Sequence, residues 1–189
     1  MNLKNLEPVM KKSHLLTITI FLWSMASTVF GQQLHVDWKV GKTINLGTYK
    51  GAGDFKNALQ KEGVISIDRE AIKLLEETTF TVSPRVTQVK LVIQSGADLG
   101  FNTDVSYDQI CFRAKERGLE LCPAEVGPQL RLQYKDQVRG EWLVIASGGP
   151  NLFLVGHDDS GRLWLGTDYF GPDRVWSPVA RFVFVDPRA

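Results

Sequence analysis

Residues 141–167, EWLVIASGGPNLFLVGHDDSGRLWLGT, decide the fold class. Three runs of strand-like composition, Glu141 to Ser147, Leu152 to His157 and Arg162 to Thr167, are separated by a Gly-Gly-Pro turn and by Asp158-Asp159-Ser160-Gly161. The second turn fits a tight hairpin with glycine where the backbone must be left-handed. Short runs at this spacing read as an antiparallel meander. In the first two runs both alternating sets are apolar: Trp142 and Val144 against Leu143 and Ile145, then Leu152 and Leu154 against Phe153 and Val155. A strand apolar on both faces is covered on both. These two are therefore expected at the centre of the sheet, with helices on one face and other structure on the other.

Working outward, Gln129 to Lys135 alternates Leu130, Leu132 and Tyr134 with Gln129, Arg131, Gln133 and Lys135. That reads as a strand with one wet face, near an edge. Further strands are expected over Leu119 to Cys122, Thr79 to Val82, Thr87 to Gln94 and Arg181 to Val185. Three helices precede the meander. Asp54 caps one that stops at Gly63, and Asp68 caps a second through Glu77, with Ile72, Leu74 and Leu75 at helical spacing. Ser106 and Gln109 form a capping box that opens the third, from Tyr107 to Arg117, ended by Gly118. The expected fold is α+β: three short helices packed on a mostly antiparallel β-meander, in a single domain.

The head of the chain has a different character. Lys4, Lys11 and Lys12 precede an apolar segment from Leu15 to Phe30 that stops at Gly31. Its length, roughly 16 residues, suits an export signal and falls short of the ~20 that a spanning helix needs. Residues 1–31 are expected to be a signal peptide, with an uncleaved anchor as the alternative. Residues 32–189 would then form one domain, 32–53 serving as an edge strand or an N-terminal arm. The expected location is secreted or periplasmic, with no stable membrane span after cleavage. Lys and Arg number 22 against 21 Asp and Glu, for a formal net charge of +1, and they are scattered. Such a chain offers no basic field for nucleic acid.

Candidate chemistry is sparse. Cys111 and Cys122 are the only cysteines, and in an oxidising compartment a disulfide between them competes with two buried thiols. No Cys-x-x-Cys or His pair marks a metal site, and no cofactor motif is present. His157 with Asp158 or Asp159, or with Cys122 as a thiol nucleophile, is the best arrangement for a small hydrolase. The Asp-Asp-Ser-Gly turn explains those carboxylates without chemistry. Trp164, on the last strand of the meander, and Asp168, Tyr169, Asp173, Arg174 and Trp176, in the loop after it, gather aromatic rings beside charges. That combination suits stacking on a saccharide ring or against a protein surface.

Two resemblances attach to these residues. The stretch Asp159 to Thr167 is similar to one repeat of the sensor β-propellers of two-component regulators, but one copy does not make a propeller. The segment LELCPAEVGPQLRLQY, residues 119–134, with Gly140-Glu141-Trp142-Leu143 after it and Phe80-Thr81-Val82-Ser83-Pro84 before it, resembles a group of small uncharacterised bacterial proteins. This likeness spans about Gly53 to Val185 and implies a shared domain, without assigning a role to any residue. The expected function is that of an exported, non-enzymatic binding or interaction module.

Overall fold

The apolar alternation of residues 142–157 places Leu143, Ile145, Phe153 and Val155 in one core and Val144, Ala146 and Leu152 in another. In the computed structural model, which describes residues 40–63, 65–149, 151–169, 171 and 173–188, these cores lie on opposite faces of one sheet. The expected signal, residues 1–31, and residues 32–39 of the expected arm lie outside the described residues. The chain runs β1 (Val40–Leu46), α1 (Ala52–Lys61), β2 (Ile65–Ile67), α2 (Arg69–Glu76), β3 (Thr87–Ser95), β4 (Val105–Ser106), α3 (Tyr107–Glu116), α4 (Val126–Gln133), β5 (Trp142–Ile145), β6 (Asn151–His157), β7 (Leu163–Tyr169), β8 (Val175–Trp176) and β9 (Arg181–Asp186).

Seven strands form the main sheet in the order β1-β3-β9-β5-β6-β7-β2, while β4 and β8 make a separate two-stranded ribbon. Pairing is antiparallel except between β5 and β9 and between β2 and β7. The meander β5-β6-β7 holds the centre and right of the sheet, as its composition indicated. On one face α1, α2 and α4 bury Phe55, Leu59, Ala71, Leu75, Val126 and Leu130 against the sheet. On the other, α3 buries Ile110 and Ala114 with Trp176, Phe182 and Phe184. Each fully buried Phe contributes about 1.5–3 kcal/mol through area removed from water.

Local chemistry fixes the helix ends. The Asp68 carboxylate accepts from Ala71 N at 2.5 Å and, through its other oxygen, from Thr167 N at 3.0 Å. It therefore caps α2 and ties it to β7 at once. Ser106 and Gln109 form the expected reciprocal box at the start of α3. At its end Gly118, at φ 82°, lets Gly118 N reach Lys115 O and Leu119 N reach Ala114 O, the Schellman closure. Asp54 behaves differently from expectation. Helix α1 begins three residues earlier, with Gly51 at its N-cap, and Asp54 accepts instead from Lys50 N at 3.0 Å.

The number of helices departs from three. Gln129 to Lys135 is not a strand: it falls largely within a fourth helix, α4, buried from Val126 to Leu132. Pro128 sits in its first turn, where the missing N–H would have had no intrahelical partner. Leu119 to Cys122 forms only an isolated bridge, Glu120 to Val185, and Thr79 to Val82 forms no strand. Trp142 is not a core residue either. It is 41% exposed, its ring lying flat over Gly156, where any Cβ would come within 2.2 Å of it.

Candidate functional site

A cleft opens at one end of the central meander. One hollow, of about 380 Å³, is lined by Leu74, Glu77, Phe80, Ser147, Asn151 and Phe153 among others. A second, of about 410 Å³, adjoins it along Leu74, Glu77 and Asn151 and extends past Glu70, Lys73 and Thr167 to Tyr169. Each lies within the size range of small-molecule sites.

Its parts come from separated pieces of chain. Leu74 stands on the last turn of α2, and Glu77 is that helix's C-terminal cap. The turn closed by Phe80 N donating to Glu77 O at 3.0 Å folds Phe80 back under the helix. There its ring meets Phe55 and Phe153 edge-on, at 5.8 and 6.4 Å between centroids. Ser147 holds the opposite lip; its carbonyl accepts from the Tyr107 hydroxyl at 2.8 Å, an anchor from the other side of the sheet. Register supplies the floor: Asn151 pairs with Tyr169 and Phe153 with Thr167, so these four project from the face that α2 covers. The Asp68 tether sets the height of α2 above β7, and Gly166 is the position over which its carboxylate passes, since a Cβ there would lie 2.8 Å from Oδ2.

The residues expected to form a recognition loop are divided by the sheet. Tyr169, 62% exposed, stands at the rim of the cleft. Asp168 borders it too, but alternation turns its side chain to the opposite face, where it pairs with Arg174 at 3.1 Å. Arg174 in turn stacks on Trp176, 4.6 Å from the ring centroid. Trp176 is buried at 5% exposure and belongs to the core under α3, so it offers no stacking surface. Trp164 lies five residues from Tyr169 along β7, about 17 Å at 3.3 Å per residue. Its indole donates to Asp158 at 2.8 Å and carries Arg162 over its face. Asp173 is exposed. The aromatic and charged set is therefore not one surface.

The hydrolytic arrangement does not assemble. Asp158 accepts from Ser160 Oγ, Arg162 N and Trp164 Nε1, and these hydrogen bonds, Ser160 first, hold its carboxyl well below the usual range. His157 Nδ1 is engaged with the Gln137 carbonyl at 2.5 Å. Cys122 is buried, its thiol donates to Val183 O at 3.3 Å, and burial raises its pKa. Cys122 N also donates to Ala146 O, at the Leu152 end of the β5–β6 ladder. His157 is five residues further on, again about 17 Å. Among the described residues no three His, Cys, Asp or Glu side chains converge as metal ligands.

Cys111 and Cys122 carry free thiols, so the bridge that their spacing allowed is not formed. They lie in different cores, Cys111 under α3 and Cys122 on the face of α1, α2 and α4. Among the described residues no helix is long and apolar enough to cross a membrane.

Sequence reading reached Tyr169 and Asp168 but not Leu74, Glu77, Phe80, Asn151 or Phe153. One signal was available: Glu76-Glu77 closes a helix at the end where anions are disfavoured, which marks a position not chosen for helix stability. No family model, curated protein or solved structure matches the chain.

Proposed function

We propose that the protein is an exported, non-enzymatic binding module whose ligand site is the cleft between α2, the turn at residues 77–80 and the loop at residues 147–149. The observation that carries this reading is the pair of adjoining hollows with an apolar floor, Leu74, Phe80 and Phe153, under a polar rim of Glu77, Thr79, Ser147 and Asn151. Few polar groups around an apolar floor is the usual make-up of a small-ligand site. Export is supported by the basic head and apolar run of residues 1–31. His157, Asp158 and Cys122, three of the side chains suited to hydrolysis, are committed to turn and core contacts, which favours binding over turnover.

Two measurements test the proposal. The amino-terminal sequence of protein recovered outside the cytoplasm is expected to begin at Gln32; full-length material there would replace the signal by an anchor. Amide chemical-shift mapping against a panel of saccharides and small aromatic compounds is expected to concentrate changes at Leu74, Asn151 and Phe153. Changes confined to the Trp164 end of the sheet would move the site away from the cleft.

A further inference from the structure

The charges on the cleft walls do not balance. Lys73 pairs with Glu70 at 2.8 Å, three residues back on α2, and Asp168 is turned to the other face to meet Arg174. Glu77 is left over. Among the described residues its carboxylate has one partner, the Thr79 hydroxyl, which donates to Oε2 at 3.3 Å. It stands at the seam of the cleft, lining both hollows beside Leu74.

Its position also works against the helix it closes. The last carbonyls of α2 carry partial negative charge, and a carboxylate beside them raises the energy of the unliganded protein. Glu76, at the same end, is answered by Lys56 at 2.5 Å. Glu77 has no such answer, and it stands between the apolar hollow over Phe80 and the polar one that Lys73 borders.

Resting on the reading of this cleft as a ligand site, we infer that it takes a small organic ammonium ion, its cationic head against Glu77 and the end of α2 and its apolar body over Leu74 and Phe80. A cation there neutralises the leftover carboxylate and the helix end together. The half-buried Phe80 ring, propped edge-on by the buried Phe153, gives a ring-sized body its floor. An exposed ion pair reinforced by a helix terminus corresponds to roughly a five- to tenfold gain in affinity over a neutral ligand of the same shape.

The test uses three probes of one shape, 2-phenylethylammonium, 2-phenylethanol and 3-phenylpropionate, titrated into the full chain and into Glu77→Gln, with amide shifts at Leu74, Asn151 and Phe153 as the readout. The expected result is that the ammonium ion binds roughly five- to tenfold more tightly than the alcohol, the carboxylate binds weakest, and the preference vanishes in Glu77→Gln. The thermal midpoint of that variant should be unchanged or raised, which shows that the lost preference is not unfolding. Equal binding of all three at the cleft overturns the cationic ligand and leaves the cleft as a binding site. Failure of all three to reach the cleft removes both readings.

Discussion

Single side chains join distant pieces of this chain, and the effects of replacing them follow from what they hold. Asp68 satisfies a donor at the start of α2 with one oxygen and a donor of β7 with the other. Asp68→Ala is expected to lower stability by about 1–2 kcal/mol for the cap alone, and to loosen the cleft wall, which urea unfolding and amide exchange at Thr167 would register together. Glu125 is fully buried, and its oxygens accept from Gly47 N at 3.0 Å and Ser83 N at 2.7 Å. Truncation strands two backbone donors, at about 1–3 kcal/mol each, so Glu125→Ala should lose about 2–6 kcal/mol in the same assay. Lys42→Ala provides the contrast. Its pair with Asp136 is exposed, and such surface pairs contribute about 1 kcal/mol or less. Arg131 is a stranger case: completely buried, it donates to the Gln137 side chain, Gly156 O and Tyr134 O, all neutral acceptors. Burial draws its pKa down to about 10, so it remains a cation at neutral pH.

At the scale of elements, α4 shows why part of the fold was legible and part was not. The meander β5-β6-β7 could be read because central strands carry two apolar sets and their turns carry glycine and aspartate. Capped helices α2 and α3 could be read because Asp68, Ser106 and Gln109 act within four residues of one another. Helix α4 has neither mark. It is enclosed on nearly every side, so no solvent-facing charged stripe marks its period, and Leu130, Leu132 and Tyr134 all enter the same core, imitating strand alternation. The true repeat is polar: Glu125, Gln129 and Gln133, four apart, all face β1 and the turn after it. Gln129 exchanges a hydrogen bond with Thr48, and the Gln133 amide pairs with both Asn45 N and Asn45 O as another strand would. The cleft stayed hidden for a related reason, since its walls come from residues 74–80, 147–153 and 167–169 and meet only through the sheet. Two helix glycines separate propensity from packing. At Gly127 a Cβ would fall 2.5 Å from Phe153, whereas at Gly53 it would meet nothing within 4 Å. Gly127→Ala should therefore destabilise by about 1–3 kcal/mol through overpacking, and Gly53→Ala should stabilise by up to about 1 kcal/mol through helix propensity. Matching signs in thermal unfolding would refute the close contact between α4 and β6.

For the whole molecule, the distribution of shifted groups sets the pH range over which it holds together. Asp98, Asp136, Asp158 and Asp186 all lie below their ordinary value of 3.8, chiefly through hydrogen bonds from Ser95, Lys42, Ser160 and Arg188 respectively. A carboxyl depressed by folding contributes stability that is present above 3.8 and is lost as pH falls through its folded value. Burial acts in the opposite sense on the other groups. It pushes Cys111 from 9.0 up to about 11 and Tyr134 from 10.0 up to about 12, and raises Cys122 and Tyr107 as well. Groups raised in this way cost nothing below 9.0, and they destabilise the fold as the unfolded chain begins to ionise above it. The urea midpoint should therefore be flat between about pH 5 and 8 and fall on both sides. Because the alkaline limb belongs to thiols inside two separate cores, a thiol-specific reagent at neutral pH should label neither cysteine until the chain unfolds, and then both. Labelling of Cys122 in the native protein, or a steady slope across the neutral range, would contradict the closed cores on which the sheet and its cleft depend.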